Sequence, residues 1–195
     1  MPRYEYPSLR QGLVGCWVPS LGASGLTLID RSGRNNHGTL TNMGGQYNWQ
    51  ASGSGVALNF DGTNDYVSRA SVNYVASFPF TIALWMNVSS AYRSAASGRT
   101  YIAQATSYLG TALSLFSIAT DYSTSSDKLY YFENDNVRLT TETFSVGQWQ
   151  HVAFCFDSTS TVRFFLNGRQ GTIQQPGGSF ASLGSAGMYL SLIHI

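Results

Sequence analysis

Apolar and polar residues alternate along most of this chain, and the alternation breaks wherever Gly, Asp, Asn or Ser cluster. The stretch Leu58-Asn59-Phe60-Asp61-Gly62-Thr63-Asn64-Asp65-Tyr66-Val67 reads as strand, tight turn, strand: Leu58 and Phe60 flank Asn59 with a period of two, and Asp61-Gly62 is a strong turn signal. Residues 81–88 (Thr81-Ile82-Ala83-Leu84-Trp85-Met86-Asn87-Val88) are apolar at nearly every position, which predicts a long strand covered on both faces. Further strands are predicted at Leu13-Val14-Gly15-Cys16-Trp17-Val18, Thr39-Leu40, Tyr101-Ile102-Ala103, residues 112–118, 128–132 and 137–140, and Leu26-Thr27-Leu28-Ile29 is a short apolar run before Asp30. Residues 150–156 and 162–166 form a predicted hairpin, and Asn167-Gly168 predicts a type I′ turn into residues 169–173. Residues 42–55, rich in Gly, Asn and Ser, and residues 89–98 are expected as loops. Many short strands with such turns, and no internal repeat, predict one all-β sandwich or barrel.

Composition supports that reading. The chain has 195 residues, 43% hydrophobic and only 11% charged; Lys128 is the sole lysine, and Glu occurs at 5, 133 and 142 alone. Good helix formers are scarce, while residues suited to strands and turns are plentiful. A net charge of +1 gives no electrostatic basis for binding nucleic acid or an anionic membrane. No apolar run approaches membrane-spanning length, so no membrane insertion is expected. The opening Met1-Pro2-Arg3-Tyr4-Glu5-Tyr6 is polar and leads into no apolar segment of a signal peptide; a protein acting outside the cell would leave by another route, such as lysis. Residues 1–11 read as an arm or linker. Cys16 and Cys155 lie in apolar runs and read either as buried free thiols or as a disulfide.

Candidate chemistry is thin. Asp61, Asn64 and Asp65 crowd one turn, and Asp30 opens another polar cluster, Asp30-Arg31-Ser32-Gly33-Arg34-Asn35-Asn36-His37-Gly38. Such oxygens either satisfy the turn's own backbone or bind Ca2+. Glu133-Asn134-Asp135 is the only Glu-x-Asp, but it reads as a hairpin turn, whereas a glycosidase needs two carboxyls facing each other across the bond. His37, His151 and His194 lack a second ligand at zinc spacing, and no nucleophile elbow is present. No catalytic residues are therefore assigned. Trp17 and Trp85, in apolar strands, are expected in the core, and Trp149 is expected half-buried. Trp49, in a polar loop, is expected to expose its ring as a platform on which the apolar face of a sugar can stack; Tyr92, Tyr108 and Tyr122 are comparable candidates.

Six stretches in order resemble the laminin-G-like, concanavalin-A-like lectin/glucanase superfamily, in its pentraxin-related branch. They are Gly12-Leu13-Val14-Gly15-Cys16-Trp17; Asp30-Arg31-Ser32-Gly33 with Asn36-His37-Gly38-Thr39-Leu40; residues 58–67; Phe80-Thr81-Ile82-Ala83-Leu84-Trp85; Trp149-Gln150-His151-Val152-Ala153; and Asn167-Gly168. The opening at Pro19-Ser20-Leu21-Gly22 also resembles phage and environmental sequences. The resemblance covers about residues 12–189 and implies a two-sheet antiparallel jelly-roll sandwich. The family does not fix a function: its members bind glycans, bind proteins or serve as structural modules, and most lack catalytic activity. The preferred reading is a non-catalytic module that binds glycans or cell-surface ligands, extracellular or virion-associated. A structural Ca2+ held near Asp30, Asp61, Asn64 and Asp65 is in keeping with it. The calcium acids of pentraxins do not carry over, since their first pair would fall near Thr106-Ser107-Tyr108. The alternative is a structural domain packed against neighbouring subunits of an assembly. The last strands of the family are expected to be missing after Tyr189. Leu190-Ser191-Leu192-Ile193-His194-Ile195 equals the translation of the sequencing adaptor CTGTCTCTTATACACATC, so residues 190–195 are expected to be an adaptor-derived tail occupying the slot of the first missing strand.

Overall fold

A computed structural model of the chain describes residues 11–19, 24–43, 48–52, 55–61, 64–69, 78–89, 99–105, 114–120, 127–133, 136–158, 160–173 and 187–194. Every element in it is a strand: β1 (Thr27–Leu28), β2 (Gly38–Thr41), β3 (Trp49–Ser52), β4 (Gly55–Leu58), β5 (Tyr66–Arg69), β6 (Phe80–Asn87), β7 (Arg99–Ala105), β8 (Ser114–Thr120), β9 (Lys128–Glu133), β10 (Asn136–Thr143), β11 (Trp149–Phe156), β12 (Val162–Leu166), β13 (Arg169–Gly171) and β14 (Gly187–His194). They assemble into an eight-stranded sheet in the order β1-β2-β5-β14-β7-β8-β9-β10, a four-stranded sheet β13-β12-β11-β6 and the two-stranded β3-β4. All pairings are antiparallel.

The main core lies between the two larger sheets. Val152, Phe154, Phe156, Phe164, Met86 and Val162 come from β11, β12 and β6; Leu129 and Tyr131 come from β9 opposite. Tyr131 stands edge-on to Phe154 and Phe156, with ring centroids 5.9 and 5.5 Å away, a favoured arrangement for aromatic quadrupoles. A second core of Leu28, Leu40, Met43 and Val67 lies along β1, β2 and β5. The Trp17 ring packs against both cores.

Several expectations hold. The tight turn at Asn167 and Gly168 has φ 51° and 77°, both positive as type I′ requires. β9 and β10 form a hairpin closing at Glu133 opposite Asn136. Both cysteines are free and half-buried.

Two expectations do not hold. Residues 13–18 form no strand; their backbone pairs with turn and side-chain groups instead of a ladder. Cys16 N–H donates to Asp30 Oδ1, the Leu13 carbonyl accepts from Arg34 Nε, and the Val14 carbonyl accepts from Asn36 Nδ2. Only the isolated bridge Trp17–Asp30 remains of sheet pairing there. Residues 42–55 are not all loop, because β3 and part of β4 lie there and pair from Trp49–Leu58 to Ser52–Gly55. The strand, turn, strand reading of residues 58–67 holds in outline, with the first strand ending at Leu58 and the second starting at Tyr66. β4 ends at Leu58 beside β3, whereas β5 joins β2 and β14, so the turn carries the chain from one sheet to another.

Residues 190–194 lie in β14, inserted between β5 and β7. Leu190 pairs with Val67 on one side and Ile102 on the other, and Ser191 with Tyr66. Among the described residues, no helix is long and apolar enough to cross a membrane.

Candidate functional site

Strand parity builds the candidate surface. On β6, Phe80, Ile82, Leu84 and Met86 turn to the core, so Thr81, Ala83, Trp85 and Asn87 share the opposite face. On β11, Val152, Phe154 and Phe156 are fully buried, and Trp149, His151, Ala153 and Cys155 take the outer positions. Register fixes the rows across the four-stranded sheet: Thr81–Cys155–Arg163, Ala83–Ala153–Phe165–Gln170, Trp85–His151 and Asn87–Trp149. The result is an apolar row centred on two alanines, Ala83 exposed and Ala153 buried. On one side it is bounded by Trp85 and His151, and Phe165 stands within its row.

Trp85 is the most exposed large apolar side chain here, at 66%, and Trp149 stands at 44%. The expectation that Trp85 lies in the core is therefore corrected, as is the expectation that both faces of its strand are covered. The physical reason is the period of two: its neighbours Leu84 and Met86 take the core side, which leaves the indole outside. Its ring centroid lies 5.3 Å from that of His151, the planes tilted by 60°. The His151 backbone is clamped, its N–H donating to Asn167 Oδ1 at 2.9 Å and its carbonyl accepting from Asn167 N–H at 2.8 Å. Polar groups able to meet sugar hydroxyls, Thr81, Asn87, His151 and Gln170, surround the two alanines.

The charged pair on this face is Arg163 with Asp157. Two parallel hydrogen bonds, Nε to Oδ2 at 2.6 Å and Nη2 to Oδ1 at 2.8 Å, join them. The guanidinium's hydrogen bonds hold the Asp157 carboxyl below its usual range, and the carboxylate raises the Arg163 pKa in return.

The residues expected from sequence lie elsewhere. Trp49 is half-buried, packed on the second core, with its indole N–H donated to the Gly25 carbonyl at 2.9 Å. Its ring is not the freely exposed platform expected, because β3 holds it opposite Leu58. Tyr92, Tyr108 and Tyr122 lie outside the described residues, as does Asp135; Glu133 ends β9 at the hairpin.

The acidic turns are occupied by their own chain. Asp30, 5% exposed, accepts from Cys16 N–H and Ser32 N–H at Oδ1 and from Asn36 N–H and the Ser32 hydroxyl at Oδ2. A carboxylate has about four acceptor positions, so this one is committed and does not fit a metal. Asp65, 2% exposed, accepts from Asn48 Nδ2 and Asp61 N–H, both at 2.9 Å. Asp61 is exposed and accepts from Asn64 N–H. Among the described residues, no group of three or more His, Cys, Asp or Glu side chains is gathered as a metal site.

A family model described as the concanavalin A-like lectin/glucanases superfamily matches residues 61–189. The chain belongs to this superfamily. No curated protein sequence matches it. Among solved structures, this superfamily member resembles domain 4 of AbnA, an extracellular GH43 arabinanase from Geobacillus stearothermophilus solved with arabinotriose. The TM-score is 0.61 at 17% identity, over 89% of this chain and 85% of that one. It also resembles Trypanosoma rangeli sialidase, with a TM-score of 0.59 at 11% identity, over 88% of this chain but 26% of that one. A third likeness is to a structure concerning cell entry of botulinum neurotoxin type C through two ganglioside molecules, with a TM-score of 0.52 at 14% identity, over 87% of this chain and 41% of that one. At these identities the likeness is one of fold. The superfamily's lectin-like sandwich is thus the scaffold that presents the Trp85 face.

Proposed function

We propose that this protein is a non-catalytic recognition module that binds glycans or cell-surface ligands on the outer face of the four-stranded sheet, with Trp85 as the stacking ring. The observation that carries this reading is the Trp85 indole, 66% exposed on a sheet face and flanked by the His151 ring. An amphipathic ring of that size offers contact area to the C–H face of a sugar while nearby polar groups reach its hydroxyls. The comparisons lend support in kind: one structural relative was solved with arabinotriose, and another concerns ganglioside binding. The absence of catalysis is part of the proposal. It rests on the need for two facing carboxyls, against a face whose acid, Asp157, is engaged by Arg163.

A glycan array probed with the protein and with Trp85→Ala tests the reading. Binding that disappears in the variant supports it; binding retained in full refutes the site. Hydrolysis of a β-glucan or galactan abolished by Glu133→Gln would overturn the non-catalytic part. A second reading, a structural domain of a virion or extracellular assembly, has the same face in its favour, since exposed aromatic patches also mark subunit contacts. Under that reading the array stays blank and Trp85→Ala abolishes assembly instead. Calcium is proposed only for the turn at residues 61–65, where Asp61 reaches the surface. An ion bound there must stabilise the fold, so equal melting temperatures in millimolar calcium and in chelator would remove it.

A further inference from the structure

Resting on the reading above, we infer that the Trp85 face selects neutral sugars and discriminates against acidic ones such as sialic and uronic acids. The distribution of charge on this face decides this. Across the four rows of the outer face, the described residues are Thr81, Ala83, Trp85, Asn87, Trp149, His151, Ala153, Cys155, Phe165 and Gln170, together with one acid–base pair. That pair carries no net charge. Arg163 spends Nε and Nη2 on Asp157, and its Cζ lies over the Phe165 ring at 5.9 Å from the centroid. The neighbouring Arg169 lies opposite Leu166, in the row of the opposite parity.

A sugar carboxylate brought to the Trp85–Ala83–Ala153 face would shed part of its hydration. Among the described residues of that face it would find no cation without its own counter-ion. Burying an unpaired charge is costly, whereas a neutral pyranose or furanose needs only a ring to stack on and hydroxyl partners. Reading neutral sugars by shape and hydroxyl pattern is what a charge-poor face of this kind can do.

The same geometry predicts how the selectivity can be reversed. Asp157→Asn removes the carboxylate but leaves Arg163 in place, freeing a planar guanidinium for an incoming carboxylate. The experiment measures binding of matched oligosaccharide pairs, lactose with 3′-sialyllactose and arabinotriose with a galacturonic acid trimer, to the wild type, Trp85→Ala and Asp157→Asn. Binding is followed by calorimetry and by tryptophan fluorescence. The expected result is that neutral members bind at least about ten-fold tighter than their acidic partners, that Trp85→Ala weakens neutral binding by about ten-fold or more, and that Asp157→Asn narrows the gap. Acidic members bound as tightly as neutral ones, still dependent on Trp85, would overturn this inference and leave the glycan reading standing. No Trp85-dependent binding of any pair would overturn both, and Trp85-dependent self-association in its place would assign the face to a second copy. The Trp85 ring is outside the core, so its removal tests the site without testing the fold; a circular-dichroism melt of each variant confirms that.

Discussion

Asp30→Asn replaces a carboxylate with an amide of nearly the same shape, and the structure says what that costs. Oδ1 accepts from Cys16 N–H and Ser32 N–H, both at 2.8 Å; Oδ2 accepts from Asn36 N–H at 2.9 Å and from the Ser32 hydroxyl at 2.7 Å. An amide keeps one acceptor oxygen. Placed at Oδ1, it still serves two backbone donors, though as a neutral acceptor. The amide nitrogen then faces the Ser32 hydroxyl, which can rotate to accept, and the Asn36 N–H, which cannot. Weakening two charge-assisted bonds by about 1 kcal/mol each and orphaning one buried N–H for a further 1 kcal/mol or more gives a loss of about 3 kcal/mol. In a chain of this size that is a melting-temperature drop of roughly 6–12 °C, read by circular dichroism at pH 7. The pH dependence carries a second test. Burial alone would push the Asp30 carboxyl up, but the bonds from Ser32, Cys16 and Asn36 outweigh it and hold the pKa below its ordinary value. A depressed folded-state pKa means that the stabilisation is complete above the unfolded value, about 3.9, and is lost as pH falls through the folded value. The gap between wild type and variant should therefore be widest above about pH 5 and shrink below about pH 4. A variant melting within about 2 °C of wild type, or a gap unchanged from pH 7 to pH 3, would refute the role given to this carboxylate.

Three further outcomes are expected. A methyl at Gly15 would overlap the Trp17 ring, which packs on both cores and donates its indole N–H to the Asn36 carbonyl at 2.9 Å; Gly15→Ala should cost about 2 kcal/mol, measured by urea unfolding, and a neutral result would show that the ring can shift freely. Deleting residues 190–195 removes the pairing of β14 with Val67 and Tyr66 on β5 and with Thr100, Ile102 and Arg99 on β7, leaving edges open in mid-sheet; the shortened chain should aggregate, and a monodisperse monomer on gel filtration would contradict this. Trp85→Ala should melt within about 2 °C of wild type, since exposed substitutions rarely exceed ±0.5 kcal/mol; a large drop would mean that the ring supports the fold.

Local chemistry made the turns and the strand pairs legible in advance. Asn167 and Gly168 need positive φ, and their residue types announce it. The β11–β12 hairpin follows from apolar runs flanking a polar turn. Residues 13–18 misled because they are apolar, yet their carbonyls and N–H groups are met by side chains 14 to 22 residues away, a partnership that no local pattern encodes. β3 and β4 were hidden by Gly, Asn and Ser, residues of poor strand propensity that tertiary pairing overrides. The site itself was legible but passed over. Read as two interleaved sets, β6 separates into Phe80, Ile82, Leu84, Met86 and Thr81, Ala83, Trp85, Asn87. The second set is mostly small or polar, and that composition places Trp85 outside. Counting apolar residues without parity put it inside.

The position of Trp85 follows from how the core is shared out. Inward residues of β6, β11 and β12, with Leu129 and Tyr131 of β9 opposite, already fill the space between the sheets, and the largest of them are fully buried. The indole contributes nothing to that filling. Its placement is nonetheless fixed, because β6 is held to β11 by an unbroken register from Phe80–Phe156 to Asn87–Trp149, and β11 is the most deeply buried strand among those with described side chains. Under the proposed reading, a ligand would meet this ring on a strand whose backbone the core already holds in place. Trp49 presents the opposite arrangement, with its ring absorbed into the second core and its N–H bonded to Gly25. Between two tryptophans of similar chemistry, the proposal therefore rests on the one whose packing the fold does not need, on the element the fold holds most firmly.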